Sequence, residues 1–506
     1  VAVRSLRIEG YTAPQLDVEP TGRIMLFGTS IDGPVLTPVP IKDYMHAENI
    51  FGSPNYGTLV RGAFQALKAG ASEVVLMRIS GSHARGVLYG LTDQDVVVPA
   101  LELKSVFGGD VYNNLSIRIT TEEIIFDLAD VRGKKPVTYA FRDYPTIGLL
   151  SDAINQDCEH GKNLVYTDTE HRLLPSATLR LVNDGEVFLS GGQDGLNLTK
   201  NDIYLQLEEA YQNIDDYPVE FLVPLGVYLD DTYPHAYYGI TPYAEGWYSK
   251  PTVLDENTWL TLVEADGTPC NFATQLIRVC EHRLSRGYPG IGIIGMKPVR
   301  ESDDNLRNGD LSHIGKLISH PIVRYGFRRH DGGEIFENGY LVSLVASEVL
   351  SSYGEYSYQD NGAAAYAALL SQLPVGTSST NKTLEGIELP YKFTSEELEK
   401  LNDLGYVTFH QSVRHGIVPT AGITLGSKNS GLRFVSSVRV LQSIISEIQM
   451  VTDTLIGEPI PSDYDFLEAQ VEDILSRHQK AQSIRDYRYT FEQDVITGTL
   501  ILRLDI

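Results

Sequence analysis

Between residues 23 and 30 the run Ile24-Met25-Leu26-Phe27-Gly28 is apolar without alternation, the pattern of a short buried strand. Gly33-Pro34 breaks it, and residues 35–41, carrying Pro38 and Pro40, predict an edge segment. In 58–69, Leu59, Ala63 and Leu67 fall on one helical stripe with Val60 and Phe64 beside it, and Gly70 is the expected stop. Residues 73–79 return as a buried strand (Val74, Val75, Leu76, Met77), so strand, helix and strand alternate as in an α/β core. From 86 to 188 the texture changes to short alternating stretches, such as Leu115-Ser116-Ile117-Arg118-Ile119, between Gly, Asn and Asp turns. That predicts a β-rich insertion. A helix (200–211), a strand (221–225), a helix (272–286) and a buried strand (290–296) then resume the alternation, with polar loops at 301–308 and 330–333. The small-apolar stretch 363–370 reads as core helix, too short for a membrane span.

The last hundred residues read as a separate unit. Val438, Leu441, Ile445, Ile448 and Leu455 mark one amphipathic helix, ended by Gly457-Glu458-Pro459. A second opens at Ser462 with Asp465 three residues on, and its stripe is Leu467, Val471 and Ile474. Residues 499–506 then alternate cleanly: Leu500, Leu502, Leu504 and Ile506 share one face, Ile501, Arg503 and Asp505 the other. Residues 4–9 alternate likewise, with Leu6 and Ile8 against Ser5, Arg7 and Glu9, followed by Gly10, Pro14 and Pro20. An alternating strand on a tether suits addition to another sheet, and an edge strand of the chain's own sheet fits the same pattern.

The chain has 506 residues, which at roughly 150 per domain predicts about three domains. Its formal net charge of -25 disfavours nucleic acid and anionic lipid as partners. Cys158, Cys270 and Cys280 form no CxxC pair, so neither a disulfide framework nor a zinc ribbon is expected, and the thiols read as reduced in a protein made in a cytoplasm. Val1-Ala2-Val3-Arg4 carries no signal-like apolar region, so no secretion is expected. The 29 tyrosines against two tryptophans suit protein–protein contact. One stretch opposes the overall charge: Arg477, Lys480, Arg485 and Arg488 stand against Asp486 alone between 475 and 490. It reads either as the solvated face of a helix or as a basic docking patch for an acidic surface, a second copy included.

Chemical motifs fail on context. Leu189-Ser190-Gly191-Gly192-Gln193 spells the signature of ATP-binding cassette proteins, yet no Gly-x-x-x-x-Gly-Lys-Ser/Thr exists to hold the triphosphate. Gly290-Ile291-Gly292-Ile293-Ile294-Gly295 matches the dinucleotide fingerprint in letters, but a helix precedes it and Pro298 follows. It is read as a glycine-bearing strand. The twelve histidines form no His-Glu-x-x-His, and no Gly-x-Ser-x-Gly occurs. Asp215-Asp216, Asp230-Asp231 and Asp303-Asp304 read as solvated turns. No catalytic residue, cofactor site or metal site is expected, and an ATPase or other enzyme is not favoured.

Several stretches together resemble the contractile tail sheath proteins of bacteriophages and related injection machines. They are Gly33-Pro34-Val35 through Pro38-Val39 with Phe51-Gly52-Ser53; Gly191-Gly192-Gln193-Asp194-Gly195 with Thr199 and Asp202; and Arg439-Val440-Leu441, Glu458-Pro459 and Ile484-Arg485-Asp486-Tyr487 before the last strand. Val438-Arg439 stands where the family would have an Arg-Arg pair. The resemblance implies an α/β (α+β) multi-domain chain. Residues 1–20 would be an arm and linker, 21–85 and 189–400 a discontinuous α/β core, 86–188 an outer β-rich insertion, and 401–506 an inner C-terminal domain. That domain's small sheet would be completed by strands from neighbouring subunits, through arms bearing Arg4, Leu6 and Ile8 and, at the other end, Leu500, Leu502, Leu504 and Ile506. Implied too are hexameric rings stacked around a tail tube, baseplate and tail terminator proteins as partners, no nucleic acid or membrane insertion, and a virion part assembled in the host bacterial cytoplasm. Contraction would be driven by new subunit contacts without nucleotide. A glycan-binding or glycan-cleaving virion protein acting through the insertion is the alternative.

Overall fold

The computed structural model describes residues 22–92, 94–128, 131, 134–179, 186–214, 217–229, 262–263, 269–270, 272–297, 338–426, 430–453, 465–494 and 499–505. The strand expected at 4–9, with Arg4, Leu6 and Ile8, lies outside them, as do Ile506, the loops 301–308 and 330–333, Gly457-Glu458-Pro459 and Ser462.

The first block is β1 (Ile24–Gly28), β2 (Val39–Ile41), α1 (Tyr44–Phe51), α2 (Leu59–Lys68) and β3 (Val74–Arg78). The insertion follows: β4 (His83–Leu91), β5 (Val97–Gly108), β6 (Ser116–Ile119), β7 (Glu123–Asp127), β8 (Val137–Ala140), α3 (Ile147–Glu159), β9 (Val165–Asp168) and β10 (Glu186–Phe188). The chain resumes with α4 (Lys200–Gln212), β11 (Phe221–Pro224), β12 (Leu262–Val263), β13 (Pro269–Cys270), α5 (Phe272–Ser285), β14 (Ile291–Gly295) and β15 (Val342–Val345). Next come β16 (Glu348–Tyr353), β17 (Tyr356–Asn361), α6 (Ala363–Gln372), α7 (Ser395–Leu404), β18 (Tyr406–Val407), β19 (Phe409–Ser412) and β20 (Gly416–Pro419). Last are α8 (Val435–Asp453), α9 (Asp465–Lys480), β21 (Arg488–Asp494) and β22 (Thr499–Asp505).

Seven strands form the main sheet in the order β18-β15-β14-β11-β1-β3-β2. All are parallel except β2, which runs antiparallel to β3 at the edge, where Pro40 is tolerated. Ile24, Leu26, Leu76, Val223 and Ile293 face α2 and α6, while Met25, Phe27, Met77, Leu222 and Ile294 face α4 and α5. A sheet covered on both faces needs apolar residues at every position, which is why these strands read as continuous runs. Every residue of α6 from Ala363 to Leu370 is buried.

The insertion has its own core of residues between Ala84 and Leu189, under a three-stranded sheet (β4-β5-β9) and a four-stranded one (β10-β6-β7-β8). It also holds α3, a helix the β-rich reading lacked: the Thr146 side chain accepts from the Leu149 N–H, and Ile147, Leu150, Ile154 and Cys158 are buried at helical spacing. The main body reaches past residue 400, where the C-terminal unit was expected to begin. β18 pairs with β15, and Phe409, Ile417, Val435 and Val438 join the main core.

Candidate subunit interface

The C-terminal unit is built on α8, α9 and the β21–β22 ribbon. Val440, Ile444 and Ile448 of α8 pack with Leu467, Val471, Ile474 and Leu475 of α9 and with Leu502 and Leu504 of β22. The stripe read from the sequence of α9 is the buried one. β22 runs antiparallel to β21 of the same chain, with Tyr489 opposite Leu504, Phe491 opposite Leu502 and Gln493 opposite Leu500. Alternation therefore puts Tyr489, Phe491, Leu502 and Leu504 together on the helix side. The other face is polar: Arg488, Thr490, Glu492, Arg503 and Asp505 are exposed, and Arg503 Nη2 lies 2.9 Å from Glu492 Oε2. Only two strands make this sheet among the described residues, so each has an outer edge with no described partner. Such edges are templates for strand addition.

The basic cluster sits on the end of α9 and the start of β21. Arg477 is not free: its Nη2 is 3.0 Å from Glu447 Oε2 on α8, and its Nε 3.2 Å from Asp473 Oδ2. His478 Nε2 lies 2.8 Å from Glu447 Oε1. Burial pulls the Glu447 carboxyl upward, but His478 and Arg477 outweigh it and leave it below the usual carboxylate range. The Tyr487 hydroxyl donates to Glu472 Oε1 at 2.6 Å. Glu447 and Glu472 lie outside the sequence window that defined the cluster, so a count along the chain missed them. The i,i+4 spacing of Asp473 and Arg477 was the available signal. Lys480, Arg485 and Arg488 have exposed side chains with no ion pair among the described residues, and these three make the patch.

The two discarded motifs have structural roles. Residues 189–195 carry the chain back from the insertion to the main body. Ser190 and Gln193 bridge to Arg85 and Ser82, Gly192 exchanges two hydrogen bonds with the Asn113 side chain, and Ser80 Oγ donates to Gly195 O at 3.0 Å. Arg78, fully buried at the end of β3, ties the crossing together by donating to the carbonyls of Gly33 (3.0 Å), Gly108 (2.6 Å) and Asp194 (3.0 Å). Burial pushes its guanidinium down to about 10, against the pull of Asp32, Asp194 and Tyr112. The glycine fingerprint is β14 itself: a Cβ on Gly295 would lie 1.9 Å from the Asn361 side chain, and one on Gly292 3.0 Å from Leu276 Cβ.

The sheet order reverses between β1 and β11, where doubly wound sheets bind ligands at their carboxyl ends. Here that crevice is filled. Thr58 N and Leu59 N at the start of α2 both donate to Thr29 O (2.9 and 3.0 Å). A Cβ on Gly28 would meet Thr58 Oγ1 at 2.6 Å. The helix N-terminus spends its first donors on the chain, leaving no cradle for a phosphate there. The cavity nearby, lined by Arg61, Tyr228, Asp360 and Asn361 among others, measures about 20 Å³, room for one water. Among the described residues no group of three His, Cys, Asp or Glu side chains could hold a metal ion.

No protein-family model matches the chain, and no curated protein does. Solved structures do. A sheath tail protein from Listeria innocua aligns at a TM-score of 0.54 and 13% identity, over 96% of this chain and 91% of its own. A sheath tail protein from Desulfitobacterium hafniense aligns at 0.49 and 12%, over 96% and 93%. The helical sheath of the anti-feeding prophage in its contracted state aligns at 0.46 and 10%, over 100% and 95%. The fold, an α+β multi-domain architecture, is that of a tail sheath protein.

Proposed function

We propose that this chain is a structural subunit of a contractile tail sheath, polymerising around a tail tube and shortening to drive it through a host envelope, and not an enzyme. The observation that carries the reading is the Listeria sheath likeness, which spans both main body and C-terminal unit. The glycan alternative, which leaned on the β-rich insertion 86–188 and on the chain's many tyrosines, gains no observation of its own. Homo-oligomeric assembly into stacked hexameric rings, with tube, baseplate and terminator proteins as partners in a virion, belongs to the same reading.

Strand exchange supplies the joint. Residues 4–9 would add to one outer edge of the β21–β22 ribbon of a neighbour, and β22 would be passed to another. Each is a heterologous contact, which propagates into an open helix instead of closing a dimer. Negative-stain images of the purified protein test the reading: tubes or stacked rings are expected. Single particles at every concentration and salt, with the arms intact, overturn it.

A further inference from the structure

The described chain begins at Gly22, and Gly22 and Arg23 are held against the main body. Its φ is +61°, and a Cβ there would lie 2.6 Å from the Ser371 carbonyl oxygen at the end of α6. Its N–H donates to Glu220 Oε2 at 3.1 Å. The backbone of Glu220 and Phe221 donates in turn to Arg23 O, at 3.0 and 3.1 Å.

Glu220 is 1% exposed and faces Arg439 of α8, 2% exposed, in a two-pronged pair: Nε to Oε1 at 2.5 Å and Nη2 to Oε2 at 3.2 Å. Arg439 Nη1 also donates to Leu370 O (3.1 Å) and Leu373 O (2.8 Å), and its guanidinium carbon lies 5.4 Å from the Phe221 ring centre. Along the same side of α8, Gln442 Nε2 donates to Gly290 O (2.9 Å) and Ser446 Oγ to Gly287 O (3.2 Å). Positions 439, 442 and 446 thus bolt α8 to the main body through carbonyls, while 440, 444 and 448 hold the C-terminal unit.

The geometry points to Glu220 and Arg439 as positioning residues that lock residue 22, the root of the N-terminal segment, to α8, so that this root and the β21–β22 unit keep a fixed mutual placement. This rests on the sheath reading for its consequence: tension entering at residue 22 passes through one buried pair into α8, then into the β21–β22 unit and on to the next subunit. A paired, fully hydrogen-bonded charge pair suits that task, because neither partner can leave without stranding the other in a dry site.

Hydrogen exchange and electron microscopy on the full chain test it. Gly22→Ala keeps both members of the Glu220–Arg439 pair but forces the root off Ser371 and its N–H away from the Glu220 oxygen that Arg439 shares; Glu220→Gln weakens the pair itself. A core variant, Ile293→Val, serves as the control, with temperatures chosen so that all three are equally far below their Tm. We expect Gly22→Ala to raise amide exchange in α8 by about tenfold, far away in sequence, with 83–188 unchanged, and Glu220→Gln to raise it at both 22–24 and α8. The control should leave α8 as in the parent. Tubes from either variant should be several-fold shorter than the control's. Unchanged exchange in α8, or tubes as long as the control's, overturns the inference. Absence of tubes from the parent chain overturns the sheath reading instead, and the exchange result still decides this one.

Discussion

At the residue scale, three buried arginines do the same work in three places. Arg78 gathers the carbonyls around the insertion crossing, Arg283 donates to Ile214, Tyr217 and Val219 beneath α5, and Arg439 ties α6 to α8. A planar guanidinium spreads five donors over three nitrogens in a fixed fork, so it reaches carbonyls set further apart than the three donors on one lysine nitrogen can. Arg78→Met should therefore cost about 3 kcal/mol or more in urea unfolding, since three carbonyls lose their donor at once. Asp360 behaves oppositely. Burial pushes its carboxyl above the usual range, against the Asn361 N–H, the Tyr228 hydroxyl, Arg61 and Lys200. A carboxyl raised in the fold contributes stability below its unfolded pKa and loses it as pH rises through the folded one. Asp360→Asn should thus raise Tm at neutral pH, with the gain vanishing towards about pH 4, as melts across that range will read. Glu447 has the other sign: held low, it lends stability above its unfolded pKa that is lost as pH falls through the folded one. Glu447→Gln should weaken the α8–α9 contact at neutral pH by less than about 1 kcal/mol, and flatten its acid sensitivity.

At the element scale, the ribbon is the informative piece. Leu502 and Leu504 are 7% and 5% exposed, so Leu504→Ala should cost about 2–3 kcal/mol locally, seen as faster exchange in α9 with the main sheet unaffected. Removing 499–506 would bare Tyr489 and Phe491 as well as delete a strand, so local loosening of α8 and α9 is expected along with lost polymerisation. The alternation of 499–505 made β22 legible, and unbroken apolar runs did the same for β1, β3 and β14, because burial on one face or two writes a different period. α3 stayed hidden because its thirteen residues sit among turn formers, and its cap, Thr146, follows Pro145 in a stretch that reads as loop. Pairing partners were not legible at all. Nothing in the spelling of 488–494 says that it meets β22, since alternation reports a strand's faces and not its neighbours. The candidate interface residues split the same way: Leu502 and Leu504 were visible as a face, whereas the pairing of Arg477 with Glu447 depends on how two helices pack.

At the scale of the whole molecule, a −25 chain that polymerised would bring like-charged bodies together, and Lys480, Arg485 and Arg488 are exposed cations with no ion pair among the described residues on the unit that would meet a neighbour. Reversing all three to Glu should raise the protein concentration needed for tubes, most at low salt where screening is weakest; an unchanged threshold returns them to the solvated surface. The home pairing of β22 sets the terms of any such assembly. Passing β22 to a sister chain swaps seven register pairs for seven identical ones, so the count of backbone bonds does not change. Growth then draws no net enthalpy from the exchanged ribbon itself, and β22, paired at home, is not a loose strand that could hasten the first encounter. On the sheath reading, newly made subunits should stay dispersed through a lag that preformed ends abolish, and an initiating platform, not the subunit's own affinity, would time growth.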